Sequence, residues 1–315
     1  MADAPALKTW DVAVVGEIYA DHVFSGFARW PAPGEEVLAR HYTRELGGGA
    51  VNTACGLARL GRRVLLAGLI GAADRPWFER RLAQFGVGTD GLADHPAGTG
   101  VTASVSTRED RSFFTYHGAN AHLPALLERP ALRERLAAAR HVHFAMPLAR
   151  PLAASLLPAL RGAGCTTSLD VGFSPDWLAD PANRASCAEV DWFLPNRKEA
   201  ALLCGDENAN AFVAWMRTAG WHHGAVKLGA EGALAMDADG VHRVPPPAVE
   251  VADTTGAGDA FDAGFIDALL DGAAVVERLR RGCLCGALCA SAHGALDGLP
   301  HPHDLQRIHE LTYGT

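Results

Sequence analysis

Apolar residues arrive along this chain in short runs, separated by longer stretches with helical spacing. Asp11-Val-Ala-Val-Val15 stops at Gly16, and Val64-Leu-Leu-Ala-Gly68 has the same character. Neither run alternates with polar residues, which is the pattern of a strand buried on both faces. Between them Val51, Ala54, Cys55 and Ala58 fall on one helical stripe that starts from the Gly47-Gly48-Gly49 loop, and Gly61 stands where a C-terminal cap glycine belongs. The order repeats downstream. His141-Val-His-Phe144, Thr166-Thr-Ser-Leu-Asp170, Trp192-Phe-Leu194 and Gly224-Ala-Val-Lys-Leu228 read as buried strands, and helical segments such as 130–139 and 152–161 separate several of them. Strands alternating with helices predict βαβ units, hence an α/β fold with a mainly parallel central sheet covered on both faces.

Two stretches break that rhythm. Residues 23–46 and 99–116 contain alternating segments such as Val101-Thr-Ala-Ser-Val-Ser106, the signature of a half-exposed strand, and read as antiparallel excursions from the main sheet or as an extra edge sheet. No internal repeat or low-complexity segment divides the chain. Pro245-Pro-Pro247 is a stiff connection rather than a boundary, so residues 1–315 are read as one domain.

With 315 residues, 49% of them hydrophobic, the chain can bury a large core. A net charge of -8 and the lack of a Lys/Arg block argue against nucleic acid as a partner. The seven cysteines contain no Cys-x-x-Cys pair, which disfavours zinc and a disulfide framework; Cys285 and Cys289 share a helical face among small residues and predict close helix packing in a reducing cytoplasm. His141, His143, His293, His301 and His303 show no zinc-ligand spacing and read as packing or surface residues. Residues 1–10 lack a signal-peptide pattern, and the apolar stretch 145–160 is broken by Pro147, Arg150, Pro151 and Pro158, so no membrane span is expected.

The candidate chemistry centres on Asp253-Thr-Thr-Gly-Ala-Gly-Asp259. Phe261, Phe265 and Leu269 recur at helical spacing, so a helix should begin near Gly258 with its first amides free to meet an anion. Gly256, Ala257 and Gly258 would supply those amides. Asp259 repels an anion unless it has a chemical task, and the natural one is general base; the alternative is an acidic helix cap on a glycine-rich turn. Asp21, in Gly16-Glu-Ile-Tyr-Ala-Asp21, follows a strand end, where a carboxylate can accept from two hydroxyls or simply form a turn. Gly47-Gly48-Gly49-Ala-Val-Asn52 lets backbone approach a ligand at a helix start, or is a flexible loop. Asn196 and Glu199, three apart after a strand, could face one ligand or form a capping box. Lys227-Leu-Gly229-Ala-Glu-Gly232 reads alone as a hairpin turn. No Walker loop is present.

Taken in order, these motifs resemble the ribokinase-like (PfkB) carbohydrate kinases over nearly the whole chain. The resemblance implies a three-layer α/β/α sandwich with a small β-sheet lid, formed by 23–46 and 99–116, that is often also a homodimer contact. It implies ATP-dependent transfer of a phosphoryl group to a hydroxyl, expected to be a primary one, of a monosaccharide. Asp259 would be the base and Gly256, Ala257 and Gly258 the anion hole. Asp21, Gly48, Gly49 and Asn52 would hold the sugar. Asn196 and Glu199 would organise Mg2+ through water, while Lys227, Gly229 and Gly232 would meet the nucleotide. Asp253 and Thr255 would help build a monovalent-cation loop, with K+ the expected ion.

Some positions depart from that family's pattern. Tyr19 stands where ribokinases have a sugar-binding Asn, and Ala145-Met146-Pro147 lacks the carboxylate of ribose kinases, so ribose itself is disfavoured. Cys283 replaces the Asn or His that commonly borders adenine. Phe113, Phe114 and Tyr116 are read first as filling the core of the lid, with stacking on a substrate ring as the other reading. A nucleoside kinase of the same fold and a non-catalytic sugar or nucleotide sensor are the rival functions.

Overall fold

A computed structural model describes residues 8–27, 29–106, 111–172, 174–221 and 223–314, so the tip of the second excursion at 107–110 and the first seven residues lie outside the described residues. The strands are β1 (Trp10–Gly16), β2 (Tyr19–Ser25), β3 (His41–Gly47), β4 (Val64–Ile70), β5 (Gly88–Asp94), β6 (Gly100–Ser106), β7 (Arg111–Tyr116), β8 (Ala139–Ala145), β9 (Thr166–Asp170), β10 (Trp192–Phe193), β11 (Gly224–Lys227), β12 (Ala233–Asp237) and β13 (Gly240–Val244). Nine of them form one sheet in the order β13-β12-β11-β10-β9-β8-β1-β4-β5. From β11 through β5 every neighbouring pair is parallel, and β12 and β13 extend the sheet as an antiparallel hairpin.

The two-residue period of β1 builds both halves of the core. Ala13 and Val15 pack with Leu65, Ala67 and Phe144 on one face, while Val12 and Val14 meet Leu66, Ala263 and Ile266 on the other. The second face continues under Trp192 and Leu194, where Phe261 and Phe265 of the helix Ala257–Leu270 close it. Full burial of a side chain such as Phe144 or Phe265 contributes about 1.5–3 kcal/mol. Gly264 brings that helix against Arg281 and Cys285 of the helix Val275–Ala290; a side-chain carbon there would sit 2.5 Å from the Arg281 carbonyl oxygen. The expected close packing around Cys285 is therefore present.

The two excursions meet in a separate four-stranded sheet, ordered β3-β2-β6-β7, with β2–β6 parallel and the outer pairs antiparallel. The first excursion starts earlier than its alternation indicated: Asp21 lies inside β2, not in a loop after β1, and the described residues between Ser25 and His41 are outside strands. The helix expected at 130–139 stops at Ala137, because Ala139 is drawn into β8 beside Trp10. Phe113, Phe114 and Tyr116 correct the reading given above. They are 57%, 59% and 60% exposed, so they fill no core; Phe114 and Tyr116 project from one face of β7, where Trp30 stacks on Phe114, and Phe113 projects from the other. Among the described residues no helix is long and apolar enough to cross a membrane.

Candidate active site

Parallel pairing aligns the carboxyl ends of the central strands. Gly16 lies beside Ala145, Ala145 beside Asp170, and Asn196, just after β10, bridges to Lys227 at the end of β11. Loops leaving one edge of an open parallel sheet enclose a crevice, and here the predicted motifs face it. His141 and His143 lie deeper in the sheet, bonded to Thr166 and Ser168 as packing residues.

The helix Ala257–Leu270 starts at Gly256, whose left-handed conformation (φ 73°) leaves no room for a side chain beside Ala295. Gly256, Ala257 and Gly258 thus turn into the helix, with Ala257 and Gly258 lining a cleft and the Ala257 amide donating to the Thr254 carbonyl at 3.2 Å. Asp259 follows in the first turn. Its Oδ2 accepts from Asn52 Nδ2 at 2.8 Å, and its carbonyl oxygen accepts from Thr53 Oγ1 at 3.3 Å. Burial pushes the Asp259 carboxyl up to about 6, with Asp170 adding to the shift and Asn52 and Lys227 opposing it.

Asn52 stands in the first turn of the helix Gly49–Arg59, which the triple-glycine loop introduces. Gly48, at φ 96°, is its cap and lies against the Glu17 carbonyl. Gly49 leaves 3.1 Å between a side-chain carbon built on it and Asp259 Oδ1. Asp21 reaches the same loop from β2, and burial raises its carboxyl to about 6 against a hydrogen bond from Thr102. Asp21, Gly48, Gly49, Asn52 and Asp259 are therefore brought together.

On the other side of Asp259 a cleft of about 680 Å3 is lined by Lys227, Gly229, Gly232, Ala257 and Gly258, with Phe261 and Cys283 as an apolar wall. Gly229 and Gly232 form the turn of the β11–β12 hairpin, closed by Gly232 N to Gly229 O at 2.9 Å. The hairpin and the cleft wall are thus the same segment. A side-chain carbon on Gly258 would lie 3.7 Å from Lys227 Nζ, which puts the ammonium beside the helix start.

Lys227 is also held from below. Its Nζ donates to Asp170 Oδ2 at 2.5 Å and to both Asp262 oxygens at 3.2 Å. Burial works against the ammonium, yet Asp170, Asp262 and Glu199 keep its pKa above that of an ordinary lysine. Burial would raise Asp170, but Lys227 holds it down, whereas Asp262 is raised well above the usual carboxylate range by burial. Three acids share one cation in a low-dielectric pocket, so they cannot all ionise comfortably.

Asn196 and Glu199 form a complete capping box on the helix Arg197–Cys204: Glu199 N donates to Asn196 Oδ1 at 3.0 Å and Asn196 N to Glu199 Oε2 at 2.9 Å. Burial, then Asp170, pushes Glu199 up to about 7. Asp253 and Thr255 form the loop before the helix start. Asp253 Oδ1 accepts from Thr255 N at 3.0 Å and Oδ2 from Gly294 N at 3.1 Å, tying that loop to the end of the 275–290 helix.

Reasoning from motifs passed over Asp170, Asp262 and Glu17. Asp262 stands three residues after Asp259 and so shares its helical face, a usable signal. Asp170 ends a strand already read as buried, a placement that marks ligand edges in parallel sheets.

Residues 10–302 match the pfkB family carbohydrate kinase domain. The chain is 29% identical to the 2-dehydro-3-deoxygluconokinase of Bacillus subtilis over 276 residues, covering 82% of this chain and 85% of that one. It is 27% identical to the ribokinase of Haemophilus influenzae, over 92% and 95% of the two chains. The crystal structure of a PfkB protein from a Polaromonas species superposes with a TM-score of 0.77 at 27% identity, covering 95% of this chain and 99% of that one. With the matching domain spanning both the glycine loop and the Asp259 helix, this chain belongs to the pfkB family of carbohydrate kinases and is a sugar or nucleoside kinase.

Proposed function

We propose that the enzyme transfers the γ-phosphoryl group of ATP to a hydroxyl, in the first instance a primary one, of a monosaccharide. The observation that carries this reading is the position of Asp259 between two recesses: the triple-glycine loop on one side and the cleft at Gly258 and Lys227 on the other. Asp21 and Asn52 hold acceptor hydroxyls against the Gly48 and Gly49 backbone. Asp259 takes the proton of the attacking hydroxyl, a step its raised affinity for protons favours near neutral pH. The Gly256, Ala257 and Gly258 amides, with the helix dipole, stabilise charge on the transferred phosphoryl group. Gly229, Gly232 and Lys227 border the nucleotide.

Among the described residues no three His, Cys, Asp or Glu side chains are grouped to ligate a metal directly. Asn196 and the buried Glu199, bonded to one another at the start of their helix, are the residues that would hold Mg2+ through water, and the ion would supply positive charge to offset the leaving diphosphate. Asp253 and Thr255 order a loop of backbone carbonyls suited to a monovalent cation such as K+. The small sheet acts as a lid over the acceptor, and its uncovered aromatic face is the contact of a homodimer. Seven free cysteines fit a cytoplasmic location. The same exposed aromatics favour a nucleoside as the second candidate acceptor.

The test is ADP release with ATP and magnesium across pentoses, hexoses, acid sugars and nucleosides, beside Asp259→Asn. Turnover on one class that collapses in the variant supports the reading. Folded, ATP-binding protein that turns over no acceptor would favour a sensor instead.

A further inference from the structure

Among the described residues Lys227 is the only cation that lines the cleft beside Gly258, and two carboxylates from distant parts of the chain hold it there. Asp170 ends β9. Its Oδ2 accepts from Nζ at 2.5 Å, while its Oδ1 accepts from Gly172 N at 2.8 Å and so fixes the carboxylate. Asp262 follows Asp259 on the same helix, and each of its oxygens lies 3.2 Å from Nζ, the distances of one N–H shared between them. An ammonium carries three hydrogens. Two are engaged by these acids, and no further acceptor among the described residues bonds to Nζ. The third is left at the cleft wall, where a side-chain carbon on Gly258 would lie 3.7 Å from Nζ.

By themselves Asp170 and Asp262 work against an anion. Carboxylates under a helix start oppose the phosphate that the helix dipole attracts, and Asp262 is fully buried. Their place follows from Lys227. Burial alone would strip the proton from a lysine in this position, yet the two acids hold its pKa above the ordinary lysine value. They also fix where the charge sits: Asp170 ties it to the edge of the sheet, and Asp262 ties it to the helix that carries Asp259 in its first turn.

We propose that the third hydrogen of Lys227 Nζ meets the phosphoryl group in transfer, and that Asp170 and Asp262 are positioning residues that set the ammonium against Gly258 and Asp259. This rests on reading Asp259 as the base and the cleft as the nucleotide site. The acceptor oxygen bonds to the γ-phosphorus, the bond from that phosphorus to the β–γ bridging oxygen breaks, and ADP leaves with the electron pair. Asp259 takes the acceptor proton, and Lys227 keeps all of its own. A cation already fixed in place needs no reorganisation as charge moves between those oxygens, and a displacement of about 1 Å can cost on the order of 10²-fold in rate.

The experiment is a double-mutant cycle between Lys227→Met and Asp262→Asn, read as stability in urea without ligand and as kcat with ATP and magnesium. The acceptor is whichever of D-ribose, D-fructose, 2-dehydro-3-deoxygluconate and inosine turns over fastest. Lys227→Met should lower kcat about 10²–10³-fold and Asp262→Asn about tenfold, with the pair no slower than Lys227→Met alone and KM for ATP within about threefold throughout. In urea, Asp262→Asn should recover part of the midpoint that Lys227→Met loses, because it removes one of the two stranded charges. Losses in kcat that multiply in the pair, losses that fall on KM instead, or a pair no more stable than Lys227→Met overturn the assignment of Asp262. Lys227→Arg keeps a cation between the acids, so it folds even where Lys227→Met does not. Its kcat should fall at least about tenfold, because the guanidinium fork meets the two carboxylates in a different geometry; a wild-type kcat would overturn the positioning. Wild-type protein that turns over no acceptor sinks the kinase reading and this inference together, whereas an active enzyme with multiplying losses sinks this inference alone.

Discussion

Replacing Asp259 with asparagine should make the enzyme more stable as it makes it inactive. The carboxyl is half-buried, and burial lifts it from its ordinary 3.8 to about 6. A carboxyl whose folded affinity for protons exceeds its unfolded one destabilises the protein wherever it must ionise. Here the penalty is absent below about pH 4, grows as pH rises and is complete above about pH 6. The shift corresponds to at most about 3 kcal/mol, and solvent reaching the carboxyl through the cleft reduces this to about 1–3 kcal/mol. Asparagine keeps an oxygen to accept from Asn52 and loses the charge. Urea denaturation of ligand-free protein should therefore find Asp259→Asn more stable than wild type at pH 8 by that amount, and nearly equal at pH 4. The same variant should lose about 10²–10⁴-fold in kcat, and wild-type kcat/KM should rise with pH to a plateau above about 6. Equal stability at both pH values would show that the carboxylate is not desolvated. Retention of kcat within tenfold would remove Asp259 from its role as base.

Lys227→Met strands Asp170 and Asp262 beneath the helix start, and the loss of a buried cation between two carboxylates should destabilise the protein by about 3–5 kcal/mol at pH 7. The difference, read by urea denaturation, should shrink in acid as the two carboxyls take up protons. Gly286→Ala places a methyl 2.9 Å from the Ala257 carbonyl oxygen, so it should shift the anion hole, raise KM for ATP several-fold and destabilise by about 1–3 kcal/mol; steady-state kinetics with unchanged KM would refute this. Trp30→Ser combined with Phe114→Ser removes the stacked pair on the open face of the small sheet and should move the protein from dimer to monomer in sedimentation velocity, without changing its melting temperature by more than a few degrees. An unaltered dimer would place the contact elsewhere.

Local patterning determined a great deal of this protein. Uninterrupted apolar runs marked β1 and β4, because a strand covered on both faces has no polar side to show, while β8, β9 and β11 carry polar residues and were legible from their place in the strand–helix order. Glycine before a periodic stretch marked the helix starts at Gly49 and Ala257, since only glycine occupies the left-handed turns at Gly48 and Gly256 without strain. The residues around Asp259 were legible for the same reason: their spacing is set within one loop and one helical turn. The tertiary structure decided what depends on contacts between distant segments. Tyr19, Glu17 and His117 meet only because β2 pairs with β6 and brings residues nearly a hundred positions apart into hydrogen-bonding range. Asp170, Lys227 and Asp262 come together because parallel pairing and helix packing converge on one edge of the sheet, and no spacing encodes that convergence. Phe113, Phe114 and Tyr116 show the limit most directly. Alternation told that Phe114 and Tyr116 share one face and Phe113 takes the other, but whether a face is covered depends on what the rest of the chain has left to place against it.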